Sequence, residues 1–129
     1  MLSQPSAEYF AHDCFAKLLG VELVAANDGG SKVRLNASDT HLNGLGGVHG
    51  GVIFALADIA FAVACNTRGQ KAVGINAHIH YINGASAGEL FAEAREVSCK
   101  SRLAHYLVDV TNREGTLLAQ FSGMSYRLN

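Results

Sequence analysis

Residues 41–58 read His41-Leu42-Asn43-Gly44-Leu45-Gly46-Gly47-Val48-His49-Gly50-Gly51-Val52-Ile53-Phe54-Ala55-Leu56-Ala57-Asp58 and set two histidines, an asparagine and an aspartate among five glycines and an apolar run. Gly50-Gly51 opens an apolar helical run. A helix start of this kind presents free N–H groups and the positive end of the dipole, with no side chain to block a ligand. It can hold a carbonyl oxygen as that oxygen becomes an oxyanion. The plainer alternative is a glycine-rich loop that only turns the chain. Asp58 is the one charge within Val-Ile-Phe-Ala-Leu-Ala-Asp-Ile-Ala-Phe-Ala-Val-Ala-Cys. A buried, unpaired carboxylate is costly, so it must be paired, hydrogen-bonded or held in a cleft for chemistry. No Lys or Arg lies within one turn, which leaves a tertiary hydrogen bond or a catalytic role. Asn43 and His49 flank the glycines, where an amide and an imidazole can orient a water or brace the loop against the helix. Such a set suits hydrolysis of an activated ester.

Gly50 and Asp58 stand eight residues apart, about 12 Å along a helix. They cannot both touch one carbonyl group. If both act, the helix start of one chain must meet the aspartate of another across a twofold axis, which predicts a homodimer with two interfacial sites. His41, His49, His78 and His80 supply imidazoles, and His78 and His80 share one face of a strand. None has the helical ligand spacing of a zinc motif, and no metal is expected.

The elements that must position these groups follow from periodicity. Residues 6–19 carry Tyr9, Phe10, Cys14, Phe15, Leu18 and Leu19 near helical spacing and stop at Gly20. Residues 21–25 and 32–37 alternate as strands, with Asp28-Gly29-Gly30 as the turn between them. Residues 38–51 form a loop. Residues 52–66 are apolar on nearly every side, as in a helix enclosed by protein, and are too short and interrupted to span a bilayer. From residue 72 the period switches to two, predicting strands at 72–82, 89–97, 103–111 and 116–128. Short connections arrange these as an antiparallel meander, extended by the earlier strands and curled around the central helix. The expected class is α+β, one domain across residues 1–129.

Composition narrows the function. The net charge is -1, with Lys and Arg scattered singly, which argues against nucleic acid or an acidic membrane as partner. The three cysteines lie far apart without CxxC spacing and read as reduced thiols. The N-terminal residues lack a basic region followed by an apolar run, so a cytoplasmic location is expected. Hydrophobic residues make up 49% of the chain, with one Pro and no Trp; part of this surface is expected between subunits.

The run His41-x-Asn43, His49-Gly50-Gly51 and Phe54-x-Leu56-Ala57-Asp58-x-Ala60-Phe61-Ala62-x-Ala64-x-Asn66 resembles the hotdog-fold thioesterases, in their phenylacetate-degradation (PaaI-like) branch. The order of elements agrees across nearly the whole chain. The resemblance implies a dimer with a continuous sheet, often a dimer of dimers, that hydrolyses acyl-coenzyme A thioesters without metal or organic cofactor. It implies that the Gly50 N–H polarises the thioester carbonyl, beside Gly51, and that Asp58 of the partner subunit activates water or attacks. Asn43 and His49 would position the water and thioester, and Asn76 would help orient the water. The family commonly has an aromatic, an aliphatic and a basic residue before Pro-Gly after the next strand; this chain reads Tyr81-Ile82-Asn83-Gly84-Ala85. Asn83 therefore stands where a basic contact to coenzyme A would be, and Lys100 and Arg102 in the following turn are candidates to receive its phosphates. Phe54, Phe61, Tyr81 and Ile82 are candidates to line an aryl or aliphatic acyl pocket. Two other classes stay open on these residues: an acyl-thioester hydratase or dehydratase using His49 with Asp58, and an acyl-CoA-binding module without chemistry.

Overall fold

The computed structural model describes residues 1–128. The chain opens with two short helices, α1 (Gln4–Ala11) and α2 (Cys14–Leu19), where periodicity predicts one. The break lies at Asp13: its carboxylate accepts the Ala16 N–H at 2.9 Å, so its backbone is extended and a second helix begins there. Gly20 ends α2 in the left-handed region (φ 90°), as a C-terminal glycine should.

Strands β1 (Glu22–Asn27) and β2 (Gly30–Ala37) form a hairpin. Asp28 and Gly29 both have positive φ, 49° and 83°, the two-residue turn whose twist matches that of paired strands. After a 3-10 turn at Asp39–His41 and the glycine loop comes α3 (Gly50–Cys65). Strands β3 (Ala72–Tyr81), β4 (Gly88–Cys99), β5 (Leu103–Asn112) and β6 (Leu117–Arg127) complete the chain.

All six strands form one antiparallel sheet in the order β1-β2-β4-β5-β6-β3. The expected four-strand meander is thus only three strands long. Helix α3 carries the chain across the sheet, so β3 emerges at the far edge beside β6, and residues 82–87 lead back to the centre. Ile82 and Asn83 fasten that return by donating their N–H groups to the Leu118 carbonyl.

Helix α3 lies on one face of the sheet. Leu56, Ala57, Ala60, Phe61 and Ala64 are buried against Val33, Leu35, Leu90, Val108, Val110 and Phe121. The helix approaches the sheet closely where the Phe61 ring covers Gly74 on β3 and Gly123 on β6; a Cβ at either position would lie within 2.7–2.8 Å of that ring. Tyr106 and Phe121 pack on Phe61 at centroid distances of 5.6 and 5.5 Å, favourable for aromatic pairs. The outer face of the sheet is open, and two further surfaces among the described residues are left uncovered by the chain itself. One is the α3 stripe through Gly51, Ala55, Asp58 and Ala62, half-buried or exposed; the other is β3, exposed along most of its length, Val73 and Ile75 included. Among the described residues, no helix is long and apolar enough to cross a membrane.

Candidate active site

The glycine loop is folded by its own polar groups. The Asn43 side-chain oxygen accepts the N–H groups of Leu45 (2.8 Å) and Gly47 (3.2 Å), and Asn43 and Gly47 also pair through their backbones. The loop therefore engages the oxygen of Asn43 and leaves its amide NH2 for a ligand. His41 is buried: its Nδ1 accepts the Ser38 N–H and its Nε2 donates to the Leu19 carbonyl, each at 2.9 Å. With both nitrogens engaged, His41 is a brace between α2 and the loop.

His49 caps α3. Its Nδ1 accepts the Gly51 N–H at 2.8 Å, which leaves Nε2 as the N–H donor of the exposed ring. The Val52 and Ile53 N–H groups go to the His49 carbonyl. Of the helix's first donors, Gly50 alone has an N–H without a protein acceptor among the described residues. The Tyr81 hydroxyl donates to the Gly50 carbonyl at 3.0 Å, and its ring packs where a Gly50 side chain would begin, 3.5 Å from that point. The site thus has one free donor at the positive end of a helix, with an imidazole N–H and an amide close in sequence.

Asp58 lies two turns along the same helix. In the single chain its side chain is exposed, because the α3 stripe that carries it is not covered by the chain's own sheet. It opens onto a groove of about 880 Å³ between α3 and the N-terminal helices, lined also by Tyr9, Asp13, Phe15, Ile59 and Ala62. That volume suits a small-molecule ligand. Surrounding protein atoms withhold water from the carboxylate, and the negative charge of Asp13 faces it; both raise the Asp58 pKa above the ordinary value. The Tyr9 hydroxyl pKa is raised as well, by burial first and then by the charges of Asp13 and Asp58. Nothing in the spacing of Tyr9 and Asp13 links them to residue 58, so the sequence does not announce their place in the groove. Asp13 does carry a local signal, a capping residue before an apolar run.

The remaining predicted contacts separate. Phe61 is 1% exposed and faces the sheet, away from the groove. The register sets Asn76 opposite Met124, next to a bulge at Gly74/Asn76 and on the face of β3 turned away from α3. The Asn83 amide donates to the Leu117 carbonyl at 2.8 Å and so holds the return loop. Lys100 and Arg102 occupy the β4–β5 turn beside Arg127, at the end of the sheet opposite Gly50. Gly51 is confined by the cap, since an added Cβ would come within 3.0 Å of His49 Nδ1. Among the described residues, no group of three or more His, Cys, Asp or Glu side chains is placed to hold a metal ion.

A sheet curled around one long helix, with an unengaged N–H at the helix start and a carboxylate on its uncovered stripe, defines a hotdog-fold thioester hydrolase. The family model for the thioesterase superfamily matches residues 45–119, and the chain belongs to that family as a PaaI-like member. It is 31% identical to the acyl-coenzyme A thioesterase PaaI of Escherichia coli over 120 residues, 92% of this chain and 86% of that protein. The E. coli PaaI structure, from the phenylacetic acid degradation operon, superposes with a TM-score of 0.95 over 98% of this chain and 92% of that one. Human acyl-coenzyme A thioesterase 13 is 32% identical over 111 residues, 82% of this chain and 79% of its own length. A Streptococcus mutans protein solved with acetyl-CoA bound is 25% identical, with a TM-score of 0.81 over 85% of this chain and 90% of that one.

Proposed function

We propose that the protein hydrolyses aryl- or medium-chain acyl-CoA thioesters to the free acid and coenzyme A, using no metal or organic cofactor, at two sites shared between the subunits of a homodimer. The observation that carries the reading is the Gly50 N–H, the one donor at the α3 start without an acceptor among the described residues, its neighbours being engaged. The thioester carbonyl oxygen accepts this N–H. Asp58 of the partner subunit takes a proton from water as the water oxygen bonds to the carbonyl carbon, or attacks that carbon itself. Negative charge then develops on the oxygen facing Gly50 and the dipole of α3. Collapse of the adduct breaks the carbon–sulfur bond and releases the coenzyme A thiolate, which takes up a proton; where Asp58 itself attacks, water then cleaves the acyl–aspartyl anhydride so formed, giving the free acid and restoring the carboxylate. His49 Nε2–H and the Asn43 amide NH2 lie near the helix start and can hold the thioester or the water.

The two-chain arrangement is favoured by three features. Gly50 and Asp58 are about 12 Å apart along one helix; the α3 stripe bearing Asp58 is uncovered; and β3 is an exposed, apolar edge of the kind that pairs with another strand. Names carried by the relatives support coenzyme A as the thiol carrier.

The test is thiol release from aryl-, short-, medium- and long-chain acyl-CoAs by the wild type and by Asp58→Asn. Turnover of at least one class by the wild type, lost in a folded Asp58→Asn, is expected. Binding without release by the wild type would replace hydrolysis with a ligand-binding role. Mixing Asp58→Asn with a variant disabled at Gly50 should regenerate intact shared sites, about a quarter of the wild-type number on random pairing. No recovery in a verified mixed dimer would refute the shared site.

A further inference from the structure

His78 and His80 sit on the exposed edge strand β3, two residues apart and hence on one face of the sheet. Their rings meet edge to face, with centroids 4.5 Å apart and an interplanar angle of 74°. The two Nε2 atoms converge to 3.3 Å. Two imidazole lone pairs at that distance repel unless a proton or a cation lies between them. A tetrahedral zinc ion with Zn–N bonds of about 2.0–2.1 Å separates two of its nitrogens by about 3.3–3.4 Å. The pair therefore already has the bite of a zinc chelate.

The face on which they lie is separate from the candidate active site. Ala77 and Ile79, which alternate with them, register with Gly123 and Phe121 under α3, whereas His78 and His80 register with Ser122 and Gln120 on the outer face. Edge pairing of β3 with another strand would use backbone groups and leave these side chains pointing out of the sheet. Neighbouring polar groups favour a cation. The Gln120 amide donates to Asp109, leaving its own carbonyl oxygen and a carboxylate in the row that reaches His80. His105 is on the same face, but its Nε2 is held by the Ser122 hydroxyl at 2.8 Å. Helical ligand spacing, whose absence speaks against a metal in the sequence, is not the only spacing that aligns two ligands. On a strand, a spacing of two aligns side chains as four does on a helix.

We propose that His78 and His80 form a two-histidine chelate for a divalent transition-metal ion, zinc by its geometry, with water in the open coordination positions. The ion is peripheral to the thioesterase chemistry and independent of it.

The test is calorimetric titration of tag-free protein with Zn²⁺ in a non-coordinating buffer at fixed pH, supported by electron paramagnetic resonance after loading with Cu²⁺. The wild type is expected to bind one ion per chain, with the copper spectrum showing two imidazole nitrogens. His78→Gln and His80→Gln should each weaken binding by about a hundredfold or more, the advantage lost when two linked ligands become one. His105→Gln should bind as the wild type does. Circular dichroism checks that the variants keep their strands. Absence of Zn²⁺ binding by the wild type, or wild-type affinity in the double variant His78→Gln/His80→Gln, would overturn the proposal.

Discussion

Replacing Gly50 by proline removes the N–H on which the proposed oxyanion contact depends and changes little else. That N–H has no protein acceptor among the described residues, so no hydrogen bond of the fold is lost. Proline is well tolerated at the first position of a helix. The residue before it must be extended, and His49 already is, at φ -61° and ψ 134°. The new Cβ would stand 3.5 Å from the Tyr81 ring, an ordinary contact. Restricting the unfolded chain should stabilise the protein by about 0.4–1 kcal/mol, raising Tm by roughly 2–5 °C for a chain of this size. Activity should move the other way. Loss of one oxyanion donor costs about 10²–10³ in kcat, or about 2.7–4 kcal/mol. The pair of assays is thermal unfolding and steady-state thiol release, with Gly50→Ala, which keeps the N–H, as the companion variant. A folded Gly50→Pro enzyme with kcat within about threefold of wild type would refute the assignment of the oxyanion contact to Gly50, since losing such a donor costs far more than that.

Four other outcomes are expected. Gly51→Ala places a methyl 3.0 Å from His49 Nδ1; the gain in helix propensity, up to about 1 kcal/mol, should nearly offset the weakened cap, about 0.5–2 kcal/mol, while kcat/KM falls, which parallel Tm and thiol-release measurements resolve. Because the Asp58 pKa is raised by the protein atoms that withhold water from the carboxylate and by Asp13, the acid limb of kcat/KM should have its midpoint above the ordinary aspartate range. By the same sign, the folded state disfavours the Asp58 carboxylate at neutral pH, so Asp58→Asn should raise Tm at pH 7, and this gain should shrink as the pH falls through the raised pKa towards the unfolded value; a gain that grows with acid would contradict the shift. Gly123→Ala, whose methyl would meet Phe61 and Phe121 at 2.8–2.9 Å, should cost about 1–3 kcal/mol in urea unfolding, and adding Phe61→Leu should recover part of that loss.

Much of the arrangement is legible in the residues, and what is not has identifiable physical causes. Helix α3 announces itself because an apolar run with a single carboxylate is stable only when most of it is enclosed, and Asp28-Gly29 announces its turn because few residues adopt positive φ in succession. The position of β3 does not follow from its alternation, since a period of two gives the faces of a strand and says nothing of its neighbours. Periodicity merges α1 and α2 into one helix because apolar spacing continues across Asp13, whose side chain competes for the backbone and starts a second. The free N–H at Gly50 follows from the glycine motif. The Tyr81 hydroxyl on its carbonyl, 31 residues away, is a product of the edge position of β3. The apolar surroundings of Asp58 in its own helix suggest burial. Its exposure shows that a helix can be apolar on a side that its own chain never covers.

The contact of Phe61 with Gly74 and Gly123 also has a consequence for how this sequence can drift. Three residues distant along the chain share one space, and their acceptable substitutions depend on the order in which they arise. Alanine at either glycine is disfavoured while the phenylalanine stands, because the ring already occupies the volume a methyl would need. A smaller residue at position 61 admits alanine at 74, and at 123 once the Phe121 ring also gives way; once an alanine is established the return to phenylalanine is closed. Descendants of this chain should therefore fall into two groups, a large ring over two glycines or a smaller residue over alanines, with few mixtures between them.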